Sequence, residues 1–241
     1  MKSDHKEFKL KDSVERIDQI ISSRDDCFAE LDGIPSRNSL TFTNGFYVKC
    51  SVLFVNIHEP AGLNDSNPQT ENLKLYRACV SEAIAVMNSN EKCLEINVVE
   101  NVVSGVFNTP WRENVDDVFT TAAKISSIVE IINCKFKKNC SKKATLGMGL
   151  SYGKALMVRA GYRGSSVTDV IWMGDVIKEA ATLATYGNKE PTDRETMVSE
   201  LFYYNLSEQN KKLLTLNSFR NCYNGDVFNS YFNNWQKLNC P

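Results

Sequence analysis

The polar residues best placed for chemistry stand at the end of an apolar run. In residues 47–61, YVKCSVLFVNIHEPA, the apolar Val48, Cys50, Val52, Phe54 and Val55 give way to Asn56-Ile57-His58-Glu59-Pro60. Amide, imidazole and carboxylate groups gathered where a strand stops can hold a ligand, because a rigid scaffold positions the loop that follows. A core strand followed by an ordinary loop gives the same pattern, and both readings stand. Thiol-based metal chemistry finds no support. Eight cysteines lie at 27, 50, 79, 93, 134, 140, 222 and 240, none in a Cys-x-x-Cys pair, and there are only two histidines. A zinc site is not expected.

The elements that must position such a site follow from periodicity. Residues 52–55 read as a central strand covered on one face and then on both. Pro60 cannot donate to a ladder, so the strand ends before it. Upstream, residues 13–22 carry Val14, Ile17, Ile20 and Ile21 at helical spacing, with Asp12 or Ser13 as cap. That helix packs on its own core or on a partner helix, and the sequence leaves both open. Residues 24–42 read as a polar, extended lead-in, closed by the turn signal Asn44-Gly45. Residues 62–70 are turn-rich, and 71–87 read as a helix. Two strands, 93–99 and 102–107, form a hairpin about Glu100-Asn101, a turn without glycine where asparagine tolerates the left-handed region. Residues 115–136 give the longest helix. Strands are predicted at 144–152 and 154–160, with Gly153 as a turn, and at 169–173. Gly174-Asp175 opens a helix through Tyr186. The tail holds a strand-like 197–204 and an aromatic end, Phe219, Tyr223, Phe228, Tyr231, Phe232 and Trp235, expected to pack on the core. This order predicts an α+β fold with a ferredoxin-like β-α-β-β-α-β core, an N-terminal helix and a C-terminal extension.

Composition bounds the function. The 241 residues suit one domain with additions, divided as 1–45, 46–187 and 188–241. Lys plus Arg is 28 and Asp plus Glu is 29, which leaves no electrostatic footprint for nucleic acid or an anionic membrane. No apolar run approaches the ~20 residues of a membrane span, and the N-terminal residues lack the apolar stretch of a secretory signal. Cys50 and Cys79 sit in apolar contexts, as reduced core residues do. A cytoplasmic protein with reduced thiols is expected.

Three phrases resemble the class III nucleotide cyclase catalytic domain: VLFVNI at 52–57, INVVENVVSGVF at 96–107 and WMGDVIKEAATLA at 172–184. The resemblance spans about residues 46–187. Within that family the chain looks most similar to the pyrimidine cyclases of bacterial Pycsar anti-phage systems, through IPSRNSLTFTNGFYV, GLSYGKALMVRAGYRG, VIWMGDV and MVSELFYYNL. The resemblance implies conversion of CTP or UTP to the 3′,5′-cyclic monophosphate and pyrophosphate. It implies Mg²⁺ or Mn²⁺ as cofactor, held by carboxylates, and a head-to-tail homodimer in which each subunit supplies half of every site.

Carried over residue by residue, the resemblance meets departures. The family's first metal-binding Asp falls on Asn56, with Ile57 supplying a carbonyl, and the second on Asn101, after Glu100 where the family has Gly. The phosphate loop falls on residues 58–61, where Glu59 adds negative charge and Pro60 removes a backbone donor. The catalytic Asn and Arg of the last helix fall on Lys178 and Thr182. The base-pocket Lys and Asp of adenine enzymes fall on Asn97 and Ile171, a change that suits a pyrimidine. Unaided by the resemblance, Asn97 reads as a solvated strand residue, Ile171 as core and Lys178 as a solvated lysine. The implied protein is a catalytically impaired or inactive cyclase. An active enzyme using Glu100, Glu59 or His58 as substitute ligands, with Lys178 neutralising phosphate, is the first alternative. A non-catalytic scaffold using the dimer face and the aromatic tail is the second.

Overall fold

A computed structural model describes residues 5–24, 27–58, 70–137, 143–163 and 167–240. Its hub is strand β2 (Gly45–His58), which follows helix α1 (Leu10–Ile21) and the short strand β1 (Phe28–Leu31). Helix α2 (Thr70–Asn88), the hairpin of β3 (Cys93–Val99) and β4 (Val102–Asn108), and helix α3 (Arg112–Phe136) come next. Strands β5 (Thr145–Gly161) and β6 (Thr168–Met173) and helix α4 (Asp175–Tyr186) complete the core. The sheet runs β3-β4-β2-β5, all antiparallel, with β2 paired to β5 from Gly45 to His58. This is the α+β, ferredoxin-like order expected.

Helices α2 and α3 cover one face of the sheet. Leu53, Val55 and Ile57 of β2, Leu75 and Cys79 of α2, and Phe119 and Ile125 of α3 meet there, all at most 2% exposed. Helix α4 lies on the other face, against Cys50, Val52 and Ala155. Its closeness requires glycine: a Cβ on Gly149 would stand 2.0 Å from the Ala180 carbonyl oxygen, and one on Gly147 2.3 Å from that of Ala184. No side chain fits in such gaps.

Several expectations are corrected. Gly153 is no turn: β5 runs unbroken through it, pairing Gly153 with Cys50, and a Cβ there would stand 3.3 Å from Val176 on α4. The predicted strand at 197–204 shrinks to β7 (Thr196–Val198). Ser199 then starts helix α5 (Glu200–Asn205), its side chain accepting from the Phe202 N–H. The lead-in contains β1 and a 3₁₀ turn at Arg37–Ser39. After helix α6 (Glu208–Lys211), strands β8 (Thr215–Asn217) and β9 (Cys222–Gly225) extend the main sheet as β5-β7-β9-β8.

The aromatic end stays largely in solvent, contrary to expectation. Phe219, Phe228, Tyr231 and Trp235 are exposed, and helix α7 (Ser230–Asn239) buries no residue. Polar contacts dock α7 on α3: the Asn229 N–H donates to the Ser127 hydroxyl, and Ser127 in turn bonds Asn233. Cys134 and Cys240 form a disulfide, so the expectation of reduced thiols fails at that pair, while Cys50 and Cys79 are free and buried as predicted. Among the described residues, no helix is long and apolar enough to cross a membrane. Residues 62–69 of the turn-rich segment lie outside the described residues.

Candidate functional site

Side-chain alternation along β2 divides core from site. Leu53, Val55 and Ile57 point into the helical core, and Val52, Phe54 and Asn56 take the opposite face. Two cross-sheet rows result, Phe54–Ser104–Asn97 and Asn56–Val102–Val99. Asn101 lies just beyond the second row, in the two-residue turn between β3 and β4. Its carbonyl accepts from the Ile57 N–H at 2.9 Å, and the Tyr76 hydroxyl donates to the Glu100 carbonyl at 2.8 Å. The turn is therefore fastened to both β2 and α2. Glu100, not Asn101, takes the left-handed conformation, with φ 52°. That is the position where a turn of this kind favours glycine.

With its backbone fixed, the Asn101 side chain donates from Nδ2 to Asn56 Oδ1 at 2.8 Å and to the Ile57 carbonyl at 3.2 Å. The three positions that the resemblance assigns to metal binding therefore converge. Their chemistry does not fit a divalent ion. Both side chains are neutral amides, and an N–H₂ donor points between the two oxygens that a cation would need. A hard divalent ion needs anionic oxygens to offset its dehydration. Among the described residues, no cluster of three or more His, Cys, Asp or Glu side chains could hold a metal either.

Of the described candidates, His58 does not supply the missing charge. His58 ends β2 half-buried, not in a solvated loop, and its Nδ1 lies 3.1 Å from Thr145 Oγ1. Burial pushes its pKa below the usual imidazole value, so it stands neutral at pH 7. Residues 59–61, where Glu59 and Pro60 were expected to disturb a phosphate loop, lie outside the described residues. Lys178 and Thr182 share one exposed face of α4, one turn apart. Lys178 makes only a loose pair with Asp175, at 4.0 Å, and neither bonds to Asn56, Ile57 or Asn101.

Asn97 and Ile171 do meet. They line one cavity with Phe54, Ser104 and Trp172, between β2, β3, β4 and β6. Ile171 is 40% exposed, so it is not the core residue its type suggested, and Asn97 is exposed, as a solvated strand residue is. Trp172 Nε1 donates to Glu95 Oε2 at 3.1 Å across the cavity's side. Phe54, Glu95, Ser104 and Trp172 were not singled out from sequence. Period-two alternation from Asn56 and Asn97 reaches Phe54 and Glu95 directly, whereas Ser104 needs the strand register.

The half-open sheet, the strand-end amides and the cavity beside them have the arrangement of a nucleotide cyclase catalytic domain. No family model matches the chain. It is 32% identical to a uridylate cyclase of Gulbenkiania mobilis, over 99% of this chain and 100% of that protein. It is 30% identical to a uridylate cyclase of Treponema porcinum, over 95% of this chain and 80% of that one. Among solved structures, the adenylyl cyclase CyaB from P. aeruginosa superposes with a TM-score of 0.58 at 14% identity, over 71% of this chain and 85% of that one. A bacterial light-regulated adenylyl cyclase gives 0.56 at 18% identity, over 69% of this chain, which spans about half of it (46%). The chain belongs to the class III nucleotide cyclase family, and within it to the pyrimidine nucleotide cyclases.

Proposed function

We propose that this chain is a Pycsar-type pyrimidine cyclase homologue that keeps a nucleotide pocket and has lost most or all of its turnover. The hydrogen bond from Asn101 to Asn56 carries the reading. It joins two neutral amides at the positions where the resemblance asks for metal-binding carboxylates. Two formal charges are missing, and every ~1.4 kcal/mol of lost transition-state stabilisation costs a factor of ten in rate. The cavity of Asn97 and Ile171 takes the pyrimidine base, and identity to two uridylate cyclases favours uracil. The protein acts in the cytoplasm in anti-phage defence. It assembles head to tail with itself or with an active relative, and so lowers that relative's output.

The test is incubation with UTP and CTP, with and without Mn²⁺, reading cyclic product by chromatography and melting temperature in parallel. The reading expects UTP to raise the melting temperature without Mn²⁺, and product no higher than a trace. Turnover abolished by Glu100→Ala would overturn it, because a substitute ligand would then be at work. The exposed Phe219, Tyr231 and Trp235 favour a second reading, a non-catalytic docking protein. A melting temperature that no nucleotide raises would select it.

A further inference from the structure

Helix α1 is amphipathic, yet none of its residues is buried. Leu10, Val14, Ile17 and Ile21, spaced four, three and four residues apart, are 71%, 47%, 51% and 75% exposed. At 3.6 residues per turn they fall within an arc of about 60°, which is the narrow seam of a coiled coil. Polar contacts hold the helix to the chain. The Arg163 guanidinium donates to Gln19 Oε1 at 2.8 Å, and the Arg16 guanidinium lies 4.6 Å from the centre of the Tyr162 ring. Ser13 and Arg16, the half-shielded residues, look toward the body of the molecule. Ile17 and Ile20 line the groove between the helix and Phe42, Thr43 and Gly161, so the seam borders that contact, with Leu10, Val14 and Ile21 turned out to solvent.

We propose that this seam docks on α1 of a second copy of the chain, with the two helices antiparallel. The charges beside the seam set the direction. Lys11 and Asp18 occupy equivalent flanking positions, seven residues apart, both exposed and without an ion pair among the described residues. In an antiparallel pair, Val14 meets Ile17 of the second copy and Leu10 meets its Ile21. Lys11 then faces Asp18 of the second copy, twice over. A parallel pair sets Asp18 beside Ser13 and leaves both charges unmatched. A lipid surface fits worse: the polar face carries Lys11, Arg16, Asp12, Glu15 and Asp18, a net negative set where membrane helices are basic. Four layers are few beside the ~1,200–2,000 Å² of a standard interface, so the contact is weak alone and adds to any other that the chain makes.

The test is cross-linking in the full chain with a short bifunctional maleimide. Lys11→Cys and Asp18→Cys variants of distinguishable size are mixed, with the unsubstituted chain as control for its own thiols. The proposal expects a mixed cross-linked species, absent from either variant alone and lost when Ile17→Asp is added. Circular dichroism and melting temperature of Ile17→Asp should match the parent, because Ile17 supports no core. Cross-linking within each variant alone would overturn the antiparallel arrangement. No species beyond the control, or one that persists with Ile17→Asp, would overturn the docking itself. So would Ile17-dependent binding to anionic vesicles without the cross-link. None of these outcomes depends on the nucleotide site.

Discussion

At the scale of residues, the amide pair makes the sharpest claim. In Asn56→Asp/Asn101→Asp the donor between the two oxygens disappears and two carboxylates face each other at hydrogen-bonding distance. Without metal that should cost about 1–3 kcal/mol, from a lost hydrogen bond and like-charge repulsion. Mn²⁺ should restore it, while the parent chain's melting temperature ignores Mn²⁺. Equal Mn²⁺ responses in the two proteins would show that the pair is no vestigial metal site. Glu195, just before β7, makes a second claim. Burial, with repulsion from Asp226 and Glu130, pushes its carboxyl up to about 7. The nearby Ser126 hydroxyl opposes this only in part, and Oε1 is left without a hydrogen bond. The folded pKa lies above the unfolded one, so its stabilising effect is complete below pH 4.5 and is lost as pH rises toward 7. Glu195→Gln should flatten that decline and stabilise the protein at pH 8 by a few kcal/mol at most, at ~1.4 kcal/mol per pKa unit. Denaturant melts of both proteins across pH 4–8, a range of about four units, check it. The amide pair was legible in the sequence because a strand end and a hairpin turn are local features. Glu195 was not, since its burial under α3 is a matter of tertiary packing alone.

At the scale of elements, two backbone positions can be tested. Glu100 holds the β3–β4 turn in a left-handed conformation that costs a side-chain-bearing residue about 1 kcal/mol. Glu100→Gly should relieve this and raise the melting temperature by a few degrees. A fall would mean that the Glu100 side chain makes a contact of its own. In contrast, Gly149→Ala drives a methyl into the backbone of α4, where the nearest atom would be 2.0 Å away. It should destabilise by at least about 3 kcal/mol, the upper range of overpacking; a loss under 1 kcal/mol, read by urea melts, would mean that α4 can lift off β5 cheaply. These elements also show where sequence reading ends. The spans of α2, β3, β4, α3 and α4 follow from periodicity and come out within a few residues. Gly153 was read as a turn because its actual reason, Val176 on α4, is remote in sequence. Residues 197–204 were read as strand because Ser199 as a helix cap outweighs their aromatic, strand-favouring content. Lys178 and Thr182 come out exposed and isolated, which local reasoning alone also suggests; only a second subunit would give them a site.

At the scale of the whole molecule, the features that look like separate losses become one property once two subunits are considered. If every active site takes its metal half from one subunit and its helix half from the other, this chain offers two poor halves: Asn56 with Asn101, and Lys178 with Thr182. Pairing with an active uridylate cyclase then gives one site with the amide pair and another with the altered helix, so neither works. The chain would then act as a dose-dependent inhibitor, and random pairing would fix the dose response. Adding an equal amount to a fixed quantity of active enzyme leaves about half of its activity, and a ninefold excess about a tenth. Co-refolding the Gulbenkiania relative with increasing amounts of this chain and measuring cyclic UMP checks the curve. An activity that stays level at ninefold excess would mean either that the two do not pair or that one of the two mixed sites still works, since each active subunit then keeps one working site. Size-exclusion chromatography separates these: mixed dimers with undiminished activity would mean that either the amides or Lys178 is less damaging than its chemistry implies. Lys178→Asn/Thr182→Arg, which restores the helix half alone, should remove the inhibition: each mixed dimer regains the one site that takes its metal half from the active partner, so every active subunit again supplies one working site.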